Sequence, residues 1–202
     1  MDTSDVEIIE RAPVFQGYFR VDRYRLRHRL HAGGWSQPMS REIFERGHAV
    51  CVLPYDPVRD AVVLIEQFRV GAYAAGFAPW LIEIVAGIVD PGETAVDVAH
   101  REMREEAGLA IEALAPICRY LVSPGGTSES VTLFCGRVDA GTAGGIFGLD
   151  HEHEDIRVTR VPTDEALAWL HAGKIVNAAA IIALQWLALN REKILLKWVQ
   201  SK

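Results

Sequence analysis

The chain has 202 residues, 50% hydrophobic and 24% charged, which is enough apolar material for one sizeable core or a core with a small appended domain. That composition excludes disorder, collagen and coiled coil as global descriptions, and the longest apolar stretches, such as Ala178 to Leu184, fall far short of the roughly 20 residues that cross a bilayer. A formal charge of -6 argues against broad adhesion to nucleic acid or acidic lipid, so neither is expected as a partner.

The first residues carry Asp2 and Asp5 where a secretory leader would carry basic side chains, and no apolar run follows, so a cytoplasmic protein is expected. Extended segments are predicted at Phe15 to Leu30, Arg41 to Phe44, Ala49 to Leu53 and Ala61 to Gln67. Asp56 to Asp60 forms the turn between the last two. Within the first segment Arg23, Arg25, Arg27 and Arg29 alternate with Tyr24, Leu26 and His28, giving one charged strand face whose ordinary reading is a solvated sheet surface or a shielded edge. Trp80 to Val85 reads as another strand, ended by Ala86-Gly87.

After Pro91-Gly92 the hydrophobic period changes to that of a helix, with Val96, Ala99, Met103 and Ala107 on one stripe. Thr94 and Asp97 resemble a capping box and Gly108 a left-handed terminator, predicting a helix of about 13 residues. Strands follow at Ile117 to Val122 and Val131 to Val138, then a Gly-rich stretch from Gly141 to Gly148 and a strand near Ile156 to Val161. A helix begins at Pro162-Thr163-Asp164 and runs to about His171, and Asn177 caps a final one. The fold class is α+β, and a boundary near residue 46 divides a small N-terminal antiparallel sheet (1–46) from the main domain (47–202). Cys51, Cys118 and Cys135 are an odd, scattered set, read as small core residues rather than a disulfide or thiolate site.

The chemistry concentrates on the central helix. Glu102, Glu105 and Glu106 project over one arc, where like charges at this spacing cost about 0.2–0.5 kcal/mol per pair. A hard divalent cation relieves that repulsion, since Mg²⁺ takes oxygen ligands and is held by one or two carboxylates plus substrate phosphates. Arg101 sits at the edge of the arc, within reach of Glu93, as a pair able to orient the acids. The competing reading is a solvated acidic helix face.

The spacing decides between them. Gly87, five residues, Glu93, seven residues, then Arg101-Glu102-Met103-Arg104-Glu105-Glu106-Ala107-Gly108-Leu109 resembles the signature of the Nudix hydrolases at every constrained position. The resemblance implies an α/β/α sandwich with a mixed sheet, and a loop-helix-loop holding Mg²⁺, or Mn²⁺ as substitute, against a diphosphate cleaved by water. It implies Glu102 and Glu106 as main metal ligands, the Ala86 carbonyl as a further one, and Glu105 and Arg101 in the catalytic cluster. Pro124, sixteen residues after Gly108, stands where the ADP-ribose pyrophosphatase branch of the family carries a proline, and Ser123 to Glu129 is similar to that branch's substrate loop.

Carried over residue by residue, that branch implies substrate contacts at Tyr18, Phe19, Arg41, Glu42, Arg46, Arg69, Ile88, Ser123, Pro124, Gly125 and Glu129. It also implies a base at Glu152 and an auxiliary metal ligand at Glu154, on a loop behind Gly144-Gly145. Two phosphates brought to a site of several carboxylates need cations, which gives the arginines their physical sense. His151 and His153 have no companions at zinc spacing and are read as loop residues. The resembling branch forms homodimers in which the N-terminal region reaches the neighbouring subunit. The expected activity is therefore Mg²⁺-dependent hydrolysis of ADP-ribose to AMP and ribose 5-phosphate. The alternatives are another nucleoside diphosphate sugar such as GDP-mannose, or a binding module that does not cut, although such modules usually lose box glutamates and all are present here.

Overall fold

The computed structural model describes residues 3–149, 151 and 153–199, which form two compact units. One unit takes in residues 1–48 and 120–131, the other 49–119 and 132–202.

In the first unit β1 (Val6–Gln16), β2 (Arg20–His28) and β3 (Met39–Glu45) form an antiparallel sheet with β2 in the middle. The predicted single extended segment is therefore the second half of a hairpin, and β1 is an addition to the sequence reading. Its alternation is obscured because Val6, Ile8, Ile9 and Val14 are exposed alongside Glu7 and Glu10. Arg23, Arg25 and Arg27 lie on the central strand and Arg29 just beyond it, so the run is a sheet face and not an edge. Arg23 pairs with Glu42 at 3.0 Å, Arg27 with Glu7 at 2.7 Å, and Arg27 and Arg29 both lie over the Trp35 ring. Asp22 is buried between Arg11, at 2.6 Å, and Arg20, at 3.0 Å. Residues 120–131 of this unit form the tip between β8 (Ala113–Leu121) and β9 (Ser130–Arg137), where the Phe44 backbone N–H donates to Gly126 O at 2.8 Å.

In the second unit β4 (Ala49–Asp56) and β5 (Ala61–Phe68) pair only beside their turn, at Tyr55–Val62 and Asp56–Ala61. Asp56 organises that turn. Its buried carboxylate accepts from the backbone N–H groups of Val58, Arg59 and Ala140 and from the Arg59 guanidinium at 2.7 Å. Beyond the turn the two strands part, and each takes a new antiparallel neighbour: β6 (Trp80–Glu83) against β5, and β7 (Val85–Ile88) against β4. The predicted strand Trp80 to Val85 is thus two strands, with the chain stepping across at Ile84, and Gly87 lies inside β7 instead of ending it. With β8, β9, β10 (Gly145–Phe147) and β11 (Ile156–Pro162) these make an eight-stranded sheet, and the helices complete an α+β architecture.

Helix α2 (Ala95–Ala107) packs on one face of this sheet. Val98, Ala99, Met103 and Ala107 meet Val50, Val52, Val63, Ile65 and Val85 in one buried cluster. Val98 takes the place expected for Val96, which is exposed in the first turn where the helix has not yet met the sheet. Both predicted caps are present: Thr94 and Asp97 satisfy each other reciprocally, and Gly108 adopts φ 64°. Phe147 crowds that glycine, since a Cβ there would stand 2.4 Å from its ring. On the other face lie α3 (Thr163–His171) and α4 (Ala178–Val199), with Leu64 and Trp169 lining one small cleft and the Tyr55 ring beside Trp198. A short helix α1 (Val70–Ala74) follows β5. Cys51 and Cys135 are buried as expected; Cys118, on β8 at the end of the strand order, is exposed and so is not the core residue expected. Among the described residues no helix is long and apolar enough to cross a membrane.

Candidate active site

The parting of β4 and β5 sets β7 directly against α2, and the acidic arc of α2 faces the β7 backbone. The Ala86 N–H donates to Glu106 Oε2 at 2.9 Å. Glu106 is only 3% exposed, and burial, reinforced by Glu102 and Glu154, pushes its carboxyl up to about 8 despite that bond and the Arg69 charge. Burial likewise raises Glu102 to about 7, with Arg101 opposing and Glu105 and Glu154 adding to the rise. Gly87 is required by close approach: a Cβ there would fall 1.7 Å from Glu102 Oε1.

Arg101 gathers the surrounding acids as predicted. It reaches Glu93 through Nε at 2.9 Å and Nη2 at 3.0 Å, Glu102 through Nη1 at 2.6 Å and Glu105 at 3.1 Å, and donates to the Ile88 carbonyl at 3.2 Å. It does not reach Glu106. Two of the three helix acids therefore share one cation, and the most buried one keeps a carboxylate answered by a single backbone donor and the more distant charge of Arg69.

Glu154 joins them from the far side of the sequence. Its Oε1 accepts from Gln67 Nε2 and its Oε2 from the Leu149 N–H, each at 3.2 Å. Its negative charge is close enough to act on both Glu102 and Glu106. Gln67 Oε1 is buried without a partner among the described residues. The Gly-rich stretch before Glu154 is partly regular, since β10 pairs with β11 from Gly145–Val158 to Phe147–Ile156. Glu152, the expected base, lies outside the described residues.

Arg69 extends one residue beyond β5 on the same face as Gln67. Glu83 Oε2 accepts from its Nε at 3.1 Å and its Nη2 at 2.9 Å, while Glu83 Oε1 accepts from Asn177 Nδ2 at 3.0 Å. Burial works against the Arg69 charge, but Glu83, with Glu106 and Glu154 behind it, leaves its pKa raised.

A divalent cation suits this donor set. Glu102 and Glu106 present hard oxygen atoms in a buried setting that lacks enough positive charge to balance them, and the orphaned Gln67 Oε1 is an acceptor suited to a metal-bound water. No three acidic, imidazole or thiol groups form a preassembled cage among the described residues.

In the first unit the expected substrate residues are arranged as follows. Phe19 stacks edge-on with Tyr18 at 4.8 Å and with Phe44 at 4.9 Å, and the Arg46 guanidinium lies 5.8 Å over the Phe19 ring. Arg46 also meets the buried Glu129 at 3.6 Å. Ser123, Pro124 and Gly125 form a turn closed by the N–H groups of Gly126 and Thr127, each 3.0 Å from Ser123 O. Arg41 donates to the Ser40 carbonyl at 2.8 Å, and Glu42 is occupied by Arg23 on the sheet surface.

Sequence reasoning assigned no role to Gln67 or Glu83 and gave Asn177 only a cap. The available signal was polarity in the wrong place: Glu83 interrupts the apolar run Leu81 to Val85, and Gln67 stands in the same strand as the apolar run Ala61 to Ile65, where a buried polar side chain is retained only with a partner.

A sheet flanked by helices, with a loop-helix-loop that buries paired carboxylates against strand β7, fits the phosphoanhydride hydrolases that the sequence signature resembles, and the NUDIX domain family matches residues 45–184. The chain belongs to that family. It is 53% identical over 195 residues to an ADP-ribose pyrophosphatase of Escherichia coli, covering 96% of this chain and 93% of that protein. An ADP-ribose pyrophosphatase of Haemophilus influenzae is 42% identical over 200 residues, covering 98% and 92%. A GDP-mannose pyrophosphatase of Cronobacter sakazakii is 36% identical over 155 residues, covering 74% and 78%. In fold, the chain resembles a crystal structure of an ADP compounds hydrolase, with a TM-score of 0.68 at 21% identity over 93% of this chain and 97% of that one. The protein is a hydrolase acting on a diphosphate.

Proposed function

We propose that this hydrolase cleaves the diphosphate of ADP-ribose to AMP and ribose 5-phosphate, using Mg²⁺, with Mn²⁺ as a working substitute. The observation that carries the substrate is the identity to the ADP-ribose pyrophosphatases, spread over nearly the whole of both chains, against a shorter and weaker match to a GDP-mannose pyrophosphatase. Glu102, Glu106, Glu154 and the Ala86 carbonyl would hold the cation, which when bound supplies charge neutralisation and an activated water. Arg101 fixes Glu102 and Glu105, Arg69 answers phosphate charge, and Glu152 takes the proton of the attacking water. Ile88 lies in β7 beside Gly87, where a diphosphate would approach. In the first unit, Tyr18, Phe19, Arg41, Glu42, Arg46, Ser123, Pro124, Gly125 and Glu129 would contact adenosine or the terminal ribose. The protein would work in the cytoplasm as a homodimer, with no nucleic-acid or membrane partner. Incubation of purified protein and Mg²⁺ with ADP-ribose, GDP-mannose and other nucleoside diphosphate sugars tests this reading. AMP and ribose 5-phosphate are the expected products, and faster cleavage of GDP-mannose than of ADP-ribose would move the assignment to that substrate.

A further inference from the structure

Glu83 and Asn177 stand outside every role assigned above, yet their placement is unusually constrained. Glu83 is 3% exposed in the short strand β6, a position where a lone carboxylate is costly. Among the described residues two side chains donate to it: Arg69 through two nitrogens on Oε2, and Asn177 on Oε1. Asn177 is itself pinned, because its Oδ1 accepts the Ala180 N–H and so caps α4. A helix terminus thus fixes an amide, the amide fixes a carboxylate, and the carboxylate grips a guanidinium on the edge that also feels Glu106 and Glu154. The grip uses Nε and Nη2, and no described residue takes a hydrogen bond from Nη1.

We infer that Glu83, held by Asn177, is a positioning residue for the reaction. It locks Arg69 in one orientation with Nη1 free for a phosphate oxygen of the bound nucleoside diphosphate. This rests on the proposed hydrolysis of ADP-ribose. A free arginine samples many rotamers, and binding phosphate must then order it; a guanidinium already fixed by a buried carboxylate avoids that cost. Glu83 touches no reacting atom, so its effect passes entirely through Arg69.

A double-mutant cycle reads this directly. Glu83→Gln should raise the KM for ADP-ribose about tenfold while kcat stays within about threefold, and in an Arg69→Ala background the same change should add less than about twofold. Arg69→Lys, which keeps the charge but not the two-nitrogen grip, should not restore the wild-type KM, and it carries the test if Glu83→Gln does not fold. The clamp is also read without substrate. The Arg69 Nε–H resonance should be protected from exchange in the wild type and lose protection in Glu83→Gln. Effects that add in the cycle, an unchanged KM, or a fall in Tm with wild-type kinetics would each overturn the inference. A wild type that leaves ADP-ribose uncut while the Nε–H remains protected would instead remove the substrate reading, and this role with it.

Discussion

Gln67 on β5 donates from Nε2 to Glu154 Oε1 across 3.2 Å, joining residues 87 positions apart in sequence, and its own Oε1 is left buried and unanswered. A buried amide oxygen left without a partner is a cost of roughly 1–3 kcal/mol unless something else answers it. Gln67→Leu removes the unpaired acceptor together with its hold on Glu154. Its thermal midpoint should therefore be unchanged or higher, while the Mg²⁺ concentration needed for half-maximal activity rises several-fold. Melting curves and a Mg²⁺ titration of activity measure the two together; a lower midpoint with an unchanged Mg²⁺ requirement would contradict it.

Glu106→Gln and Glu102→Gln should each lower turnover by roughly two or more orders of magnitude with folding preserved, since the amide keeps the shape and removes only the charge. Glu106→Gln should fold at least as stably as the wild type without metal, because burial already disfavours its charged form. Activity near wild type at saturating Mg²⁺ would exclude the residue as a ligand.

Gly87→Ala places a methyl group where the Glu102 carboxylate now lies. The carboxylate sits at the end of a flexible chain and can swing aside, so the fold survives. The expected result is a normal melting curve with activity reduced by about ten- to a hundredfold. Isothermal titration with Mg²⁺ should show the same loss.

Asp56 is held below the usual carboxylate range: burial raises it, but the Arg59 and Ala140 N–H groups and the Arg59 side chain outweigh burial. A depressed folded-state pKa means stability that is fully present above the unfolded value of about 3.9 and lost as pH falls through the lower folded one. Asp56→Asn should cost about 2–3 kcal/mol at pH 7, or roughly 4–12 °C in Tm, and the difference from wild type should shrink below pH 4. Urea melts at pH 7 and pH 3.5 compare the two.

A homodimer through the N-terminal sheet would cover Val6, Ile8, Val14, Phe15 and Tyr18, all exposed in the single chain. Light scattering should give about twice 22.4 kDa, and deletion of residues 1–40 should yield a monomer with weakened ADP-ribose binding. A fully active monomer at nanomolar concentration would refute the assembly.

What the sequence made legible is what is local in it. Helix α2 could be read with both ends because Thr94, Asp97 and Gly108 act within four residues of themselves. The carboxylate arc followed from helical geometry, and the Nudix spacing added the metal reading. The joining of Glu154 to Gln67 depends on β11 pairing with β5, that of Glu83 to Arg69 on β6 pairing with β5, and that of Glu83 to Asn177 on where α4 begins, none of which a local pattern encodes. The division of Trp80 to Ile88 into two strands was hidden for the same reason: a continuous apolar run looks identical whether it stays beside one neighbour or changes to another. Strand β1 was missed because its exposed apolar residues leave no alternation to detect.

The two ends of α2 also set opposite tolerances to inherited change. At Thr94 the helix asks for an oxygen acceptor, which Ser, Asp or Asn supplies, so several codons remain open. At Gly108 the left-handed backbone would by itself still admit Asn, but the Phe147 ring occupies the volume of any β-carbon. A saturation library of this helix should therefore retain a small family of residues at one end and a single residue at the other, and Asn at position 108 should become acceptable only in clones where Phe147 has also been exchanged for something smaller.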